Sequence, residues 1–291
     1  MSFDDKPGLL FRYPGLKPPM VGGIDLVGKV VETGSDTLAV GDTVVVNGWG
    51  IGTDHYGGYA GEARVRSDWA LKLPEGLTGK DAAKIGTAGY TAMLCVQAME
   101  HSGVTPASGP VLVTGATGGV GGVATLLLSQ LGYHVVALSG PEGDEDDYLK
   151  SLGAAEIVDR ALFNGEARPL GKETYGGAID SCGGNVLTNV LPLVKHSGCV
   201  AACGLAAGMP LNTTVAPFIL RGVTLAGVDS VFLPMQKRIQ AYTKFAPLLT
   251  ADKLALVSGE ERTVGLAEIP ELGAKMLKGN IRGRYVVDLS L

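Results

Sequence analysis

A glycine-rich segment carries the strongest chemical signal in the chain. Residues 111–121 read Val-Leu-Val-Thr-Gly-Ala-Thr-Gly-Gly-Val-Gly, an apolar run followed by a helical pattern. The spacing Ala116-x-Gly118-x-x-Gly121 matches the dinucleotide fingerprint, with alanine in place of its first glycine. Such a turn lets backbone approach a pyrophosphate, and the helix N-terminus offers N–H groups and positive potential. The segment therefore predicts a dinucleotide site, and tight packing alone is the alternative.

The end of the next strand indicates which dinucleotide binds. An acidic residue at this position holds the ribose hydroxyls of NAD, whereas this chain has Ser139, followed by Gly140 and Pro141. A serine can hydrogen-bond a 2′-phosphate, which a carboxylate would repel. Glu142 lies just beyond and could serve NAD if its loop folds inward. We therefore expect NADP(H), with NAD as the alternative.

The histidines and cysteines show no spacing typical of a metal site or a nucleophilic triad. The chain has four of each: His55, His101, His134 and His196, and Cys95, Cys182, Cys199 and Cys203. No pair forms a His-x-x-x-His or Cys-x-x-Cys motif. We expect no metal, and we expect the cysteines to be reduced, buried and inert, as in a cytosolic protein.

The elements that must position the glycine turn alternate between strand and helix. Strands are predicted at Val111–Thr114, Val135–Leu138, Ile157–Val158, Ala178–Asp180, Cys199–Cys203 and Val223–Ala226, with helices at Gly119–Leu131 and Glu145–Leu152. Continuous apolar strands separated by helices are typical of a parallel sheet. The first ninety residues instead predict a compact β domain, with strands at Val27–Glu32, Asp42–Val46 and Ala60–Val65. A helix at Glu268–Lys278 and a strand at Tyr285–Asp288 could return to that domain.

Length and composition fit this α/β organisation. The 291 residues suggest about two domains, and 46% are hydrophobic, enough for a large core. The net charge of −5 without a basic block argues against nucleic-acid or membrane partners. The sequence has no apolar run long enough to span a membrane and no signal-peptide pattern at its start. We expect a cytoplasmic protein.

Several further segments carry a family resemblance, from residue 20 to the C-terminus. They are Gly23–Gly28, Asn47–Gly52, His55–Tyr59, Ile85–Cys95, Val113–Gly121, Tyr148–Ala154, Cys199–Leu205, Pro217–Val231 and Ile281–Arg284. Together they resemble the medium-chain dehydrogenase/reductases of the zinc-free, quinone-reductase-like branch, and within it the acrylyl-CoA reductase family. Zinc members of the superfamily carry Gly-His-Glu where this chain has Gly23-Ile24-Asp25, and also a four-cysteine loop that is absent here.

This resemblance implies a GroES-like, β-rich catalytic domain and a Rossmann domain with a doubly wound parallel sheet. The implied limits are 1–92 for the first part of the catalytic domain, 93–232 for the NADP-binding domain, and 233–291 for the return. The opening strands that the family has before Ser2-Phe-Asp-Asp5 are expected to be missing. A homodimer joined at an edge strand near Val223–Val228 is also implied.

The resemblance further implies a set of cofactor-binding positions. The phosphate turn comprises Thr117, Gly118, Gly119 and Val120; Ser139 and Arg160 face the adenosine end; Leu205, Ile219 and Ser230 line the nicotinamide side; Asn280 closes over it; and Phe3 replaces a nicotinamide-lining tyrosine. Pro141 stands where the family often has arginine, which leaves Arg160 as the main cation near the 2′-phosphate. Leu205 and Ile219 have an alternative interpretation as ordinary core residues.

The implied reaction is NADPH-dependent reduction of acrylyl-CoA to propionyl-CoA, with hydride transfer to the β-carbon and a proton to the α-carbon. Asn47 could donate to the thioester oxygen, or it could stabilise its turn. Arg284 could hold the CoA phosphates or the thioester oxygen, with a surface ion pair as the alternative. Tyr56 could supply the proton or simply pack, and Trp49 is expected in the core or a pocket wall.

Two other functions remain open at this point. One is an NADPH-dependent quinone or enone reductase, which would reduce quinones faster than any acyl-CoA. The other is a truncated cofactor-binding protein with little activity, which would bind NADPH tightly without turnover.

Overall fold

The fold consists of two compact units in a computed structural model that describes residues 19–140 and 145–291, apart from the side chain of Glu260. One unit contains the described residues up to Tyr90 together with Ser230–Leu291, and the other is Thr91–Asp229. The boundaries between the units fall after residues 90 and 229, and the boundaries expected from the sequence fall after residues 92 and 232. Both ends of the described chain thus belong to one unit, and the other unit is inserted between them.

The strands are β1 (Asp25–Lys29), β2 (Thr43–Asn47), β3 (Leu71–Lys72), β4 (Val111–Val113), β5 (Val135–Ser139), β6 (Glu156–Asp159), β7 (Tyr175–Asp180), β8 (Val194–Ala202), β9 (Thr224–Gly227), β10 (Thr263–Val264) and β11 (Val286–Val287). The helices are α1 (Gly79–His101), α2 (Gly119–Gln130), α3 (Asp146–Ser151), α4 (Gly184–Val190), α5 (Ala216–Arg221), α6 (Met235–Leu248), α7 (Ala251–Val257) and α8 (Ile269–Leu277).

The inserted unit is built on a parallel sheet with the order β6-β5-β4-β7-β8-β9. This is the 3-2-1-4-5-6 order of the Rossmann fold, in which the strand order reverses between β4 and β7. Each strand pairs in parallel with its neighbour. The inner strands are fully buried at Leu112, Ala178 and Val200, which explains the apolar sequence around these positions. The centres of the edge strands β6 and β9 are only half-buried.

The other unit contains two smaller sheets, one of three strands and one of two. Its β1, β2 and β3 form an antiparallel sheet in which Asp25 pairs with Asn47 at one end of β1 and β2. A parallel pair, β10 and β11, comes from the last part of the chain. The β2 side chains Val45 and Val46 are buried, so this strand anchors the turn that follows it.

The predicted elements agree with the structure in the Rossmann unit and in most of the other unit. One prediction is wrong: Ala60–Val65 is not a strand. Its residues are exposed or half-buried, and no strand pairs with the segment within the described chain. Its alternation of small, charged and apolar residues therefore does not reflect a buried sheet face. None of the described helices combines the length and apolar character that crossing a membrane requires.

Candidate active site

The glycine turn joins β4 to α2 at the point where the strand order of the Rossmann sheet reverses. Helix α2 starts at Gly119, and its N-cap, Gly118, supplies no side-chain hydrogen bond. In the described chain, the N–H groups of Gly119, Val120 and Gly121 have no hydrogen-bond partner. A helix N-terminus with unpaired N–H groups at this position suits a bound pyrophosphate.

The close approach of strand and helix in this turn requires glycine. A Cβ atom at Gly121 would overlap the Gly115 carbonyl oxygen and would lie 2.7 Å from the Cα of Ala116. Gly115 has a φ of +59°, where an L side chain is strained. These glycines therefore keep open a backbone cradle that side chains would fill, and this open cradle fits the interpretation as a dinucleotide site. Thr117 is half-buried beside the same turn.

Ser139 and Arg160 lie at the carboxyl ends of neighbouring parallel strands. Ser139 ends β5 and pairs in register with Asp159, the last residue of β6. Arg160 follows directly and is exposed, while the Asp159 carboxylate accepts a hydrogen bond from the Ala161 N–H at 2.8 Å. A cation and a hydroxyl are thus present at this end of the sheet, as a 2′-phosphate requires. Phe3, Pro141 and Glu142 lie outside the described residues.

Asp180, at the end of β7, is a buried polar residue that the sequence analysis did not single out. Its carboxylate accepts hydrogen bonds from the Thr114 hydroxyl and from the Gly183 N–H, both at 2.7 Å. Burial raises the pKa of Asp180 despite these hydrogen bonds. The contact joins the strand ends of β4 and β7, and therefore fixes the edge at which the glycine turn begins.

Leu205 and Ile219 are not core residues. Their side chains are 50% and 72% exposed, so the core interpretation is wrong for both. Exposed apolar side chains at these positions remain free to contact a ligand.

The cysteines differ in their burial. Cys95 and Cys199 are buried, Cys182 and Cys203 are half-buried, and all four are free thiols. Burial raises the pKa of Cys182 and of Cys199, which disfavours their thiolates. The described residues contain no cluster of His, Cys, Asp and Glu that could hold a metal ion.

In the other unit, Asn47 is the last residue of β2 and is 3% exposed. Its Nδ2 donates to Asp25 Oδ1 at 2.7 Å, and its Oδ1 accepts from the Tyr242 hydroxyl at 2.5 Å. These two contacts fix the orientation of the amide. They occupy one of the two Nδ2 N–H groups, and no second acceptor for Nδ2 is found in the described structure.

Asp25 is the centre of this polar cluster. Its Oδ1 also accepts from the N–H of Thr87 at 2.6 Å and from the Thr87 hydroxyl at 2.5 Å. Its Oδ2 faces Arg284 Nη2 at 3.2 Å. Helix α1 is broken at Gly86, where φ is +49°, and a Cβ there would overlap the Arg284 guanidinium. The break therefore turns Thr87 towards Asp25 and makes room for the arginine.

The electrostatics of the cluster keep Asp25 charged and Tyr242 neutral. Burial by itself would raise the pKa of Asp25, yet the pKa lies below its ordinary value; among the described groups, the Arg284 guanidinium lowers it most, and the hydrogen bonds from Thr87 lower it further. Burial, together with the Asp25 carboxylate and Tyr90, raises the pKa of Tyr242 well above its ordinary value. The Tyr242 hydroxyl consequently keeps the proton that it donates to Asn47.

The structure brings Asn47 and Arg284 together, because both contact Asp25. Arg284 is 1% exposed and also donates to the Lys84 carbonyl at 3.1 Å, so its interpretation as a surface ion pair is wrong. Tyr56 is 62% exposed, so its interpretation as a packed residue is wrong.

The remaining predicted positions in this unit lie in different surroundings. Trp49 is half-buried and stacks on Trp69 with ring centroids 6.2 Å apart. The Ser230 carbonyl accepts from Arg238 Nη2 at 3.0 Å. Asn280, after the end of α8, has an exposed side chain, and its N–H donates to the Lys275 carbonyl.

Comparison with known proteins places these features in a family. Residues 5–75 match the family model of the alcohol dehydrogenase GroES-like domain, and residues 119–247 match that of the zinc-binding dehydrogenases. The chain is 48% identical to the acrylyl-CoA reductase AcuI of Ruegeria pomeroyi, over 97% of this chain and 83% of the relative. It is 41% identical to the putative quinone oxidoreductase YhfP of Bacillus subtilis, over 93% of this chain and 82% of the relative.

Solved structures give the same result. The yhdH oxidoreductase of Salmonella enterica in complex with NADP matches 99% of this chain and 88% of its own, with a TM-score of 0.95 and 43% identity. The structure of Bacillus subtilis yhfP with NAD bound matches 94% of this chain and 82% of its own, with a TM-score of 0.90 and 40% identity. The chain therefore belongs to the medium-chain dehydrogenase/reductase superfamily, and within it to the acrylyl-CoA reductase family.

Proposed function

We propose that the protein reduces acrylyl-CoA to propionyl-CoA with NADPH. The observation that carries hydride-transfer chemistry is the glycine turn at the switch point of the Rossmann sheet, with three N–H groups available to a pyrophosphate. The substrate is inferred from the relative named acrylyl-CoA reductase, which is 48% identical to this chain.

The Rossmann unit would hold the pyrophosphate and the 2′-phosphate of the cofactor. NADPH supplies the hydride when it is bound. The N–H groups of Gly119 and Val120 would bind the pyrophosphate, with Thr117 and Gly118 beside it, and Ser139 and Arg160 would bind the 2′-phosphate. The positions proposed for the nicotinamide end are Leu205, Ile219, Ser230, Asn280 and Phe3. One similar structure contains NADP and another contains NAD, and for this chain we propose that the Arg160 contact with the 2′-phosphate sets the preference for NADPH.

Asn47 would polarise the thioester. As the hydride reaches the β-carbon, negative charge develops on the thioester oxygen, and a fixed N–H donor in a buried site stabilises it strongly. The second N–H of Asn47 Nδ2 is that donor. Asp25 and Tyr242 hold the amide so that its nitrogen and oxygen cannot exchange places.

Arg284 and Tyr56 take different roles. Arg284 is buried on Asp25, so we assign it a positioning role in place of direct contact with the CoA phosphates or the thioester oxygen, the two roles expected from the sequence. Tyr56 has an exposed side chain and is the group proposed to deliver a proton to the α-carbon.

The experiment tests a panel of substrates and measures the oxidation of the cofactor by its absorbance. Acrylyl-CoA, longer enoyl-CoA thioesters and quinones are offered at equal concentration, each with NADPH and with NADH. We expect acrylyl-CoA with NADPH to give the highest kcat/KM. NADPH oxidation with quinones but with no acyl-CoA would refute the proposed substrate.

A quinone or enone reductase is the second candidate, because the relative YhfP is named a putative quinone oxidoreductase. Faster turnover of quinones than of acrylyl-CoA would favour it. Tight NADPH binding without turnover of any acceptor would favour a cofactor-binding protein with little activity.

A homodimer and a cytoplasmic location complete the proposal. Strand β9 is an edge of the six-stranded sheet, and its outer N–H and C=O groups can pair with a second copy. Sedimentation should therefore give the mass of two chains, and a stable monomer would refute the dimer. The cytoplasmic location is supported by the four free thiols.

A further inference from the structure

The Arg238 side chain ties together two segments that the proposed function uses. It lies on α6 and is 3% exposed. Its Nη1 donates to the Asn47 carbonyl at 2.7 Å, and its Nη2 donates to the Ser230 and Val231 carbonyls at 3.0 and 2.6 Å. Its Nε donates to the Leu233 carbonyl at 2.8 Å. One guanidinium therefore bridges the end of β2 and the 230–233 segment.

Aromatic rings surround the same guanidinium. Its carbon lies 4.4 Å from the centre of the Trp49 ring and 5.2 Å from that of Tyr90. Cation–π attraction of this kind is strongest when the cation is desolvated, as it is here. The rings therefore limit the movement of the guanidinium plane, which sets the direction of all four hydrogen bonds.

The backbone of the two bridged segments is in direct contact. The Trp49 N–H donates to the Val231 carbonyl at 3.0 Å. Gly48 has a φ of +73°, and a Cβ there would lie 2.5 Å from the Val231 carbonyl oxygen and 3.1 Å from Arg238 Nη2. The turn therefore has no room for displacement towards Val231, and the position of Asn47 depends on this contact.

We propose that Arg238 is a positioning residue for the reduction, which holds the Asn47 amide and the Ser230 segment in one fixed geometry. This inference rests on the proposed function, in which Asn47 polarises the substrate and Ser230 lies on the nicotinamide side. Lysine cannot replace arginine in this role, because its single ammonium lacks the planar fork of donors with which the guanidinium reaches both segments.

The test compares Arg238→Lys with the matched control Arg221→Lys. Arg221 is an arginine of the Rossmann unit that also donates to backbone carbonyls, those of Gly171, Pro192 and Val194. Both variants lose a carbonyl clamp, so both should have a lower Tm. We expect Arg238→Lys to lower kcat and kcat/KM for acrylyl-CoA about 10- to 100-fold, with little change in NADPH affinity. Arg221→Lys should keep the wild-type kcat.

Isotope and fluorescence readouts separate positioning from stability. With NADPH deuterated at the transferred hydrogen, the isotope effect on kcat should rise in Arg238→Lys, because hydride transfer becomes the slow step. In a Trp69→Phe background, which leaves Trp49 as the sole tryptophan, the emission of Trp49 should change in Arg238→Lys.

A second pair of variants covers the case in which Arg238→Lys does not fold. Gly48→Ala should reproduce the loss of kcat, because its Cβ would push the turn away from Val231. Gly41→Ala is its control, since Gly41 has a φ of +93° but open space around it. Equal kcat in each variant and its control would overturn the proposal. A wild-type protein that reduces no unsaturated acceptor would instead refute the proposed function itself.

Discussion

Replacing Asp25 by asparagine removes the carboxylate charge from a buried ion pair with Arg284. Breaking a buried pair in this way costs about 3–5 kcal/mol of unfolding free energy. The Arg284 side chain is 1% exposed, while that of Asp25 is 20% exposed, so solvent screens part of the loss. We therefore expect the lower end, about 3 kcal/mol. The variant should still fold, because domains have about 5–15 kcal/mol of stability.

The assay is urea unfolding of the wild type and of Asp25→Asn at pH 7. Asp68→Asn is the matched control, because Asp68 pairs with Arg66 at 2.9 Å on the surface, where both side chains are mostly exposed. Exposed pairs contribute little, so the control should have the wild-type midpoint. The m-values should stay equal, which shows that the midpoint reports stability.

The pH dependence gives the sign of the effect independently. The pKa of Asp25 in the folded protein is below its ordinary value of 3.8, so its stabilisation is complete above that pH and is lost as the pH falls through the folded-state pKa. The difference between wild type and Asp25→Asn should therefore shrink below about pH 4. Equal stability at pH 7, or a difference that stays constant down to about pH 3, would refute a charged Asp25 as the centre of the cluster.

Three further predictions concern activity and cofactor binding. Asn47→Ala should lower kcat with acrylyl-CoA about 100- to 1000-fold, as loss of an oxyanion donor does, while the Kd of NADPH measured by fluorescence stays unchanged; a lost affinity for NADPH with wild-type kcat would contradict this. Gly121→Ala should abolish NADPH binding in a titration, because its Cβ would overlap the Gly115 carbonyl, whereas Gly165→Ala, with open space around it, should bind normally. Arg160→Gln should raise the Kd of NADPH about tenfold through the loss of a charge-assisted contact and leave the Kd of NADH unchanged. An equal rise in the Kd of both cofactors would exclude a 2′-phosphate contact.

The parallel sheet could be predicted from the sequence because each of its strands contains a short apolar run. Val111–Val113 and Val135–Ser139 are buried throughout, so local hydrophobicity alone identifies them. The same reasoning failed for Ala60–Val65. Apolar residues in an exposed loop give the same local pattern as a strand, and only the packing of neighbouring segments distinguishes the two.

The polar cluster could be predicted only in part. Asn47 and Arg284 stand out by their turns and by family resemblance, but the carboxylate that joins them is 22 residues from one and 259 from the other. The break of α1 at Gly86 and the burial of Arg238 leave no local pattern either. These features depend on long-range packing, which spacing along the chain does not encode.

The most direct measurement is the fate of the hydride. Acrylyl-CoA is incubated with NADPH that carries deuterium at the transferable position, and the CoA product is analysed by mass spectrometry and NMR. We expect propionyl-CoA with one deuterium at the β-carbon, formed in proportion to the NADPH consumed. Deuterium at the α-carbon, or acrylyl-CoA that remains unreduced while NADPH is bound, would contradict hydride transfer to this thioester.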